Sequence, residues 1–310
     1  MPREQSAPPA SKPTTPSASK PAPRLRLMTP KRVTDLFDVL SLPIVILFVL
    51  NDRQIHPAHG MTWRKRFELG WRLFRITRSL QTGTTYRAHL AMASKILHFG
   101  PDDPGVVVEC GCWLGGSTAC LSIVCDYADR QLIVYDSFEG LPEADPRDEM
   151  GRPNTAGWFV GALETVQANV AEHGVLSRCT FRKGWVADTL PDHTEPVILA
   201  YLDVDYQESL HDCVVHLWPH LTDTGYVFID EFHHLRYCAL FWSERWWRTY
   251  FDAEPPGLLG AGTGIGLGQF WVGPNDGKFG RSRYRPYQAG TSIAYTRKDF
   301  SGFWSFYPES

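Results

Sequence analysis

The chain has 310 residues, a formal net charge of −3 at pH 7 and 43% hydrophobic residues. A chain of this length can bury one sizeable core, and its nearly balanced charge gives no overall reason to expect a nucleic acid or an acidic lipid as a partner. Its seven cysteines, an odd number, lie mostly in apolar runs, which favours buried thiols in a reducing cytosol over a disulfide framework. We therefore expect a cytoplasmic protein.

Positive charge is concentrated at the N-terminus of the chain. Residues 1–32 contain seven Lys or Arg residues, one Glu and eight prolines, so this stretch carries about +6 and the remainder about −9. Such a composition cannot bury enough apolar surface to become ordered. We predict a disordered basic tail over residues 1–30, which lacks the apolar core of a secretory signal.

A helical segment is predicted over residues 31–100. Its first part is the uncharged run Val39–Leu50, which has 12 residues, includes Pro43 and is shorter than the ~20 residues that a membrane span needs. We expect this run to pack on the globular body, and contact of residues 36–50 with a membrane surface is the less favoured alternative. From Trp63 to Phe99, apolar residues three and four positions apart predict two amphipathic helices.

Strand-like and helix-like runs alternate after residue 100. This alternation, with strands apolar on both faces, predicts a parallel sheet covered by helices on both sides. We place this domain at residues 101–273 and a C-terminal extension at 274–310. The predicted strands are Val106–Glu109, Leu132–Asp136, Thr180–Lys183, Val197–Asp203, Tyr226–Asp230 and Gln269–Val272, and the predicted helices are Ser117–Ala128, Gly161–His173, Ser209–Trp218 and Leu235–Tyr250.

The turn after the first strand predicts a ligand site, because ligands of such sheets bind at the carboxyl ends of the strands. Gly111 permits a tight turn after Glu109, and the small residues Gly115, Gly116 and Ser117 let the backbone approach a ligand. Trp113 stands where a dinucleotide fingerprint needs glycine, which disfavours NAD. The pattern instead suits an adenosyl ligand with an amino-acid end.

Asp136 ends the second strand, 27 residues after Glu109, where a carboxylate can accept both ribose hydroxyls. The simpler alternatives are that Glu109 caps a helix and that Asp136 is a turn residue before Ser137. Cys110 and Cys112 lack the spacing of a metal or redox pair and are predicted to be buried.

Three carboxylates end two further strands. Asp203 closes the fourth strand, and Asp230 with Glu231 closes the fifth, so we expect them to converge at the ligand edge of the sheet. Three oxygen donors suit Mg²⁺. Asp205 is either a further metal contributor or, as we favour, the N-cap of the next helix. His233 and His234 follow; they could bind the metal or act as a base, but we favour a solvent-facing position for both.

Five ordered motifs carry a family resemblance: VVVECGCWLGGS, YDSFEGLPE, GWVADTLP, LAYLDVDYQESL and GYVFIDEF. Over about Val106 to Gly273 the chain resembles the macrocin-type (TylF/MycF-like) O-methyltransferases, which use S-adenosylmethionine and magnesium. The resemblance implies a class I, Rossmann-like, doubly wound sheet of seven strands. It also implies cofactor contacts from Glu109, Gly111 and Ser117 at the methionine end, Asp136 with Ser137 at the ribose, and Trp185 and Asp188 near the adenine.

The expected reaction is methylation of a small-molecule hydroxyl, on a sugar or another natural-product intermediate. A metal bound through two adjacent hydroxyls would lower the pKa of the acceptor, and a nearby group would take its proton. Asp203 is our first candidate for this base, with Asp205 and His233 as alternatives. We expect a homo-oligomer, and Trp242 and Trp246 are predicted to lie in a core or an interface rather than against an acceptor ring.

Other classes of function fit less well. A nicotinamide-dependent oxidoreductase needs a turn that Trp113 obstructs. A nucleic-acid methyltransferase needs a basic groove or an aromatic-flanked Asn/Asp-Pro-Pro motif, and the fourth strand has neither. A non-catalytic or metal-independent protein of the same fold that binds an adenosyl ligand remains the alternative.

Overall fold

The computed structural model describes residues 30–143, 145, 148, 155–232, 234–261 and 293–300. Helices and strands alternate in it from residue 106 onward. The helices α1 to α9 are Pro30–Val49, Trp63–Ser79, Tyr86–Ile96, Gly116–Ala128, Leu163–His173, Val186–Thr189, Gln207–Leu217, Leu235–Cys238 and Glu244–Phe251. The strands β1 to β7 are Val106–Cys110, Leu132–Asp136, Cys179–Lys183, Val197–Leu202, Leu221–Ile229, Leu259–Gly260 and Ala294–Arg297.

The seven strands form one sheet in the order β3-β2-β1-β4-β5-β7-β6. The first five strands in this order pair in parallel, whereas β7 runs antiparallel to both β5 and β6. The strand order reverses between β1 and β4, so a crevice opens at their carboxyl ends. The predicted α/β, doubly wound, seven-stranded class is confirmed. Strand β7 comes from the segment predicted as the C-terminal extension.

The sheet is apolar on both faces because neighbouring residues of each strand point to opposite sides. On β1, Val107 belongs to one core, together with α1 to α5, and Val108 belongs to the other, with α7, α8 and α9. Burial on both faces explains why β4 reads as an uninterrupted apolar run.

The N-terminal helices share the first of these cores. Helix α1 approaches α2 so closely that a Cβ at Gly70 would lie 2.4 Å from Ile46. The predicted amphipathic helices are confirmed as α2 and α3, and the run Val39–Leu50 packs on the body through one face. Within the described chain, no helix is both long and apolar enough to cross a membrane.

Two predicted elements differ from the structure. The predicted helix Leu235–Tyr250 is broken into α8, a 3-10 turn over Ala239–Trp242, and α9. Its aromatic spacing continues across the break, but the Ser243 hydroxyl accepts from the Trp246 amide and caps a new helix. The predicted fifth strand starts at Tyr226, whereas β5 starts at Leu221. The predicted tail up to residue 29 and the predicted strand Gln269–Val272 lie outside the described residues.

Candidate active site

The turn after β1 brings the backbone of two strands into contact. The Gly111 amide donates to the Tyr135 carbonyl at 2.9 Å, and Gly111 has a φ of +84°. A Cβ at this position would lie 1.9 Å from the Asp203 carbonyl oxygen. Only glycine fits here, and its backbone therefore sets the position of Asp203 relative to the turn.

Trp113 adopts a left-handed backbone conformation, with a φ of +46°, and its ring meets Phe159 edge-on at a centroid distance of 5.4 Å. A Cβ at Gly161 would lie 1.8 Å from the Trp113 carbonyl oxygen. The turn therefore depends on a glycine about 50 residues later. The sequence pattern predicts Gly161 only as the start of a helix. Gly161 instead precedes α5, which begins at Leu163.

Glu109 is fully buried beneath this turn. Its Oε2 accepts from the Thr118 hydroxyl at 2.6 Å. Burial raises the pKa of Glu109 to about 8. Oε1 has no hydrogen-bond partner among the residues that the structure describes. Glu109 therefore bonds to a side chain of α4 and does not cap the helix in the usual way, which requires a backbone amide.

Asp136 is oriented by two backbone amides. Its Oδ2 accepts from Cys112 at 2.7 Å and its Oδ1 from Phe138 at 2.6 Å. Ser137 closes the following turn, since its hydroxyl donates to the Gly140 carbonyl at 3.0 Å. Both predicted roles of Asp136 are thus compatible with the structure: it is a turn residue, and its carboxylate is held at the ligand edge.

Trp185 and Asp188 lie at the same edge of the sheet. The Gly184 amide donates to the Asp136 carbonyl at 3.0 Å, and α6 begins immediately afterwards, with Trp185 as its N-cap. Both side chains are exposed. Their adenine contact stays a prediction.

The three predicted metal ligands converge. Asp203, Asp230 and Glu231 each offer a carboxylate oxygen, and these oxygens lie within 4.8 Å of one another. Asp230 and Glu231 are buried, whereas Asp203 is partly exposed. Burial, followed by the negative charges of its neighbours, raises the pKa of Glu231 well above its usual value. Burial and the charge of Asp205 raise the pKa of Asp203 to about 7.

A hydrogen-bonded chain links this cluster to the N-terminal helices. The Tyr201 hydroxyl donates to Asp203 Oδ2 at 3.1 Å and lies 2.7 Å from the Thr84 hydroxyl. Thr82, in the same loop, lies against Gly116 at the start of α4. This loop was not predicted to reach the site; its only sign in the sequence is the polar run QTGTT between two amphipathic helices.

The favoured prediction that Asp205 caps the next helix was wrong. Tyr206 is the N-cap residue of α7, and the amide of Gln207, the first residue of the helix, donates to the Asp148 carboxylate at 2.6 Å. Asp205 has a φ of +60°, and burial with the charge of Asp148 raises its pKa to about 6. It is not one of the three carboxylates of the cluster.

Of the two histidines that follow Glu231, the structure describes the second. His233 lies outside the described residues, and His234 is the N-cap of α8.

The two tryptophans that were predicted to pack in a core or an interface differ. Trp246 contacts Trp247, Tyr250 and Phe251, as expected for a packed aromatic, whereas Trp242 is exposed.

The cysteines behave as predicted. Cys110 and Cys112 are buried, and burial raises the pKa of both thiols well above the usual value. All seven cysteines lie in the described chain and none forms a disulfide.

Comparison with known proteins connects this geometry to a family. The sequence model of the macrocin-O-methyltransferase (TylF) family matches residues 91–250, just over half of the chain. A Streptomyces olivaceus protein named 8-demethyl-8-(2,3-dimethoxy-alpha-L-rhamnosyl)-tetracenomycin-C 4'-O-methyltransferase is 37% identical over 139 residues, which cover 42% of this chain and 53% of that protein. The mycinamicin III 3''-O-methyltransferase of Micromonospora griseorubida is 32% identical over 143 residues, covering 42% and 56% of the two chains.

The chain spans about half the length of the curated relatives it matches. Among solved structures, the O-methyltransferase NovP covers 69% of this chain and 92% of its own, with a TM-score of 0.50 and 23% sequence identity. That likeness supports the fold.

Proposed function

Because the chain belongs to the macrocin-O-methyltransferase family, we propose that it transfers the methyl group of S-adenosylmethionine to a hydroxyl group of a small molecule, with Mg²⁺ as a second cofactor. The convergence of Asp203, Asp230 and Glu231 beside the glycine turn carries this proposal. The matched relatives are named for O-methylation of tetracenomycin and mycinamicin compounds. We therefore propose a natural-product hydroxyl, such as one on a sugar, as the acceptor.

The turn after β1 and the end of β2 fit the two ends of the methyl donor. Asp136 is held by two amides, so its orientation does not have to be established on binding, and a carboxylate can accept from two ribose hydroxyls. Glu109 has a buried oxygen without a partner among the described residues, which fits a ligand ammonium group. Such a cation would offset the burial that raises the pKa of this carboxyl.

The carboxylate cluster fits a magnesium ion by its chemistry. All three donors are oxygens, and Glu231 Oε2 is buried with no hydrogen-bond partner in the described part of the chain. Three acidic groups this close repel one another when ionised, and this repulsion destabilises the metal-free protein. A bound divalent cation would offset the repulsion. When bound, Mg²⁺ supplies positive charge that lowers the pKa of an acceptor hydroxyl.

Asp203 is the proposed proton acceptor. Asp203 is partly exposed, so its carboxylate is accessible from the ligand edge of the sheet. The Tyr201 hydroxyl donates to Oδ2 and fixes the orientation of the carboxylate. His233 remains an alternative base from the sequence. The reaction then depends mainly on holding the acceptor oxygen in line with the methyl group, since the sulfonium is already an activated leaving group.

Methyl transfer from labelled S-adenosylmethionine tests the proposal. A panel of sugars and glycosylated natural products is incubated with the protein in magnesium and in EDTA, and binding of S-adenosylhomocysteine is measured in parallel by calorimetry. We expect at least a tenfold loss of rate in EDTA, restored by magnesium or manganese and poorly by zinc. Binding without turnover on every acceptor would instead indicate the non-catalytic alternative, and full activity in EDTA would reject the metal.

Asp230→Asn should lower the rate at least about tenfold, because it removes a proposed metal ligand. Its matched control is Asp223→Asn, because Asp223 is an exposed acid at the other end of β5. This variant should keep the wild-type rate and the wild-type response to EDTA.

A further inference from the structure

Helix α1 has two apolar faces, and the residues that the structure describes cover only one of them. Leu42, Val45, Ile46 and Leu50 are buried against the body. On the opposite face, Leu40 is exposed by 68% and Ile44 by 60%. The exposed apolar residues of this face are Leu36, Val39, Leu40, Ile44, Leu47 and Phe48. A contiguous apolar face of this size on a soluble domain marks an interaction surface.

Helix α2 adds a stripe of exposed aromatic side chains. Trp63, Phe67 and Trp71 are four residues apart, so they lie along one side of the helix, and each is exposed. The Arg66 guanidinium lies 5.2 Å from the centroid of the Trp63 ring. Trp rings beside Arg side chains are typical of segments that rest at a membrane–water interface.

Positive charge surrounds this apolar surface in the sequence. Residues 1–32, which lead into α1, carry about +6. Helix α2 has six Lys or Arg residues and one acid, Glu68. Two copies of the chain joined through this face would bring these like charges together, whereas an anionic partner would be attracted to them.

We propose that α1 and the exposed stripe of α2 dock the protein onto the surface of an anionic lipid bilayer. The helix lies in the plane of the interface with its open face in the acyl boundary, while Leu42, Val45 and Ile46 keep it attached to α2 and α3. An apolar face combined with a basic segment supplies the two contributions that stable peripheral binding requires. This surface is separate from the carboxylate cluster, so its test does not depend on the methyltransferase activity.

Co-sedimentation of the full chain with vesicles tests this proposal. One set of vesicles contains phosphatidylcholine alone and the other contains phosphatidylcholine with phosphatidylserine. We expect binding to the anionic vesicles that weakens as salt is raised. The double variant Leu40→Glu/Ile44→Glu should lower the partition coefficient at least about tenfold, because two aliphatic side chains no longer enter the apolar layer.

The matched control is Leu176→Glu/Leu259→Glu, which places the same changes at two exposed leucines outside this surface. It should bind vesicles like the wild type, and both double variants should keep the wild-type melting temperature. A wild-type protein that does not sediment with anionic vesicles would overturn the proposal, as would equal binding by Leu40→Glu/Ile44→Glu. A dimer that this variant converts to a monomer, without any vesicle binding, would show that a second copy covers the face.

Discussion

Glu231→Gln should stabilise the metal-free protein and abolish its stabilisation by magnesium. The substitution keeps the size of the side chain and removes one of three acidic groups whose oxygens lie within 4.8 Å of one another. At an effective dielectric constant of about 20, two ionised carboxylates at this separation repel by about 3 kcal/mol. Glu231 takes part in two of the three pairs.

Proton uptake limits this repulsion at neutral pH, because burial and its acidic neighbours raise the pKa of Glu231. A carboxyl whose pKa is raised on folding contributes stability below its unfolded-state value, and this contribution is lost as pH rises toward the folded-state value. The EDTA-treated wild type should therefore lose stability as pH rises above about 4.5, the unfolded-state pKa of a glutamate, and Glu231→Gln should lose less. We expect the variant to be more stable by about 2 kcal/mol at pH 8, or about 4 °C in melting temperature.

With magnesium present, the wild type should become more stable than Glu231→Gln. A ligand that binds only the folded state at 100 times its dissociation constant stabilises by about 2.7 kcal/mol. The wild type should gain this amount, and the variant, with one donor oxygen replaced by an amide, should gain little. Differential scanning fluorimetry in EDTA and in magnesium, at pH 6, 8 and 9, measures both effects.

The control Glu172→Gln removes an acid whose side chain is 75% exposed on α5 and should follow the wild type in every condition. Two results would refute the reasoning: a wild-type melting temperature that magnesium and manganese leave unchanged, or a Glu231→Gln protein that is less stable than the wild type in EDTA. The second result would mean that the Glu231 carboxylate holds the fold together by itself.

Three further predictions concern single side chains. Asp136→Ala should weaken binding of S-adenosylhomocysteine by about 1.5–3 kcal/mol in calorimetry, through loss of charge-assisted hydrogen bonds, and unchanged affinity would contradict the ribose assignment. Tyr201→Phe should lower kcat several-fold with unchanged S-adenosylhomocysteine affinity, because Asp203 loses the hydroxyl that orients it; an unchanged kcat would leave Tyr201 a purely structural role. Burial raises the pKa of Asp52, but hydrogen bonds from Gln54 and His98 outweigh this effect and lower the pKa to about 2. The ionised carboxylate therefore stabilises the fold above pH 4, and this stabilisation is lost as pH falls toward 2. Urea unfolding should show Asp52→Asn less stable than the wild type by about 2 kcal/mol at pH 6, with the difference shrinking by pH 3.

Local sequence patterns were sufficient to predict the parallel strands of the sheet and the convergence of the acidic cluster. Strands buried on both faces produce uninterrupted apolar runs, so β1, β2 and β4 were visible directly. Polar residues at the ends of such strands face the ligand site. This rule predicted that Asp203 and Glu231 lie close together, because two neighbouring parallel strands end at the same edge of the sheet. The structure confirms this convergence.

Contacts between distant parts of the chain could not be found in this way. Gly161 is needed because the Trp113 carbonyl oxygen occupies the space of a Cβ, and no local pattern connects the two positions. Tyr201 was assigned to an apolar strand, and its hydroxyl gains a role only where the loop containing Thr84 reaches it.

The sequence by itself determined most of the helices, the parallel strands and the acids that end them, because periodicity and strand ends are local properties. Tertiary structure decided which faces are covered. Apart from Ser41, the run Val39–Leu50 is apolar on every side, so its pattern cannot tell the buried face, with Ile46, from the exposed face, with Ile44. Burial depends on which elements pack alongside. Among the residues that the structure describes, α2 packs against the side with Ile46 through Gly70, and the side with Ile44 is left exposed.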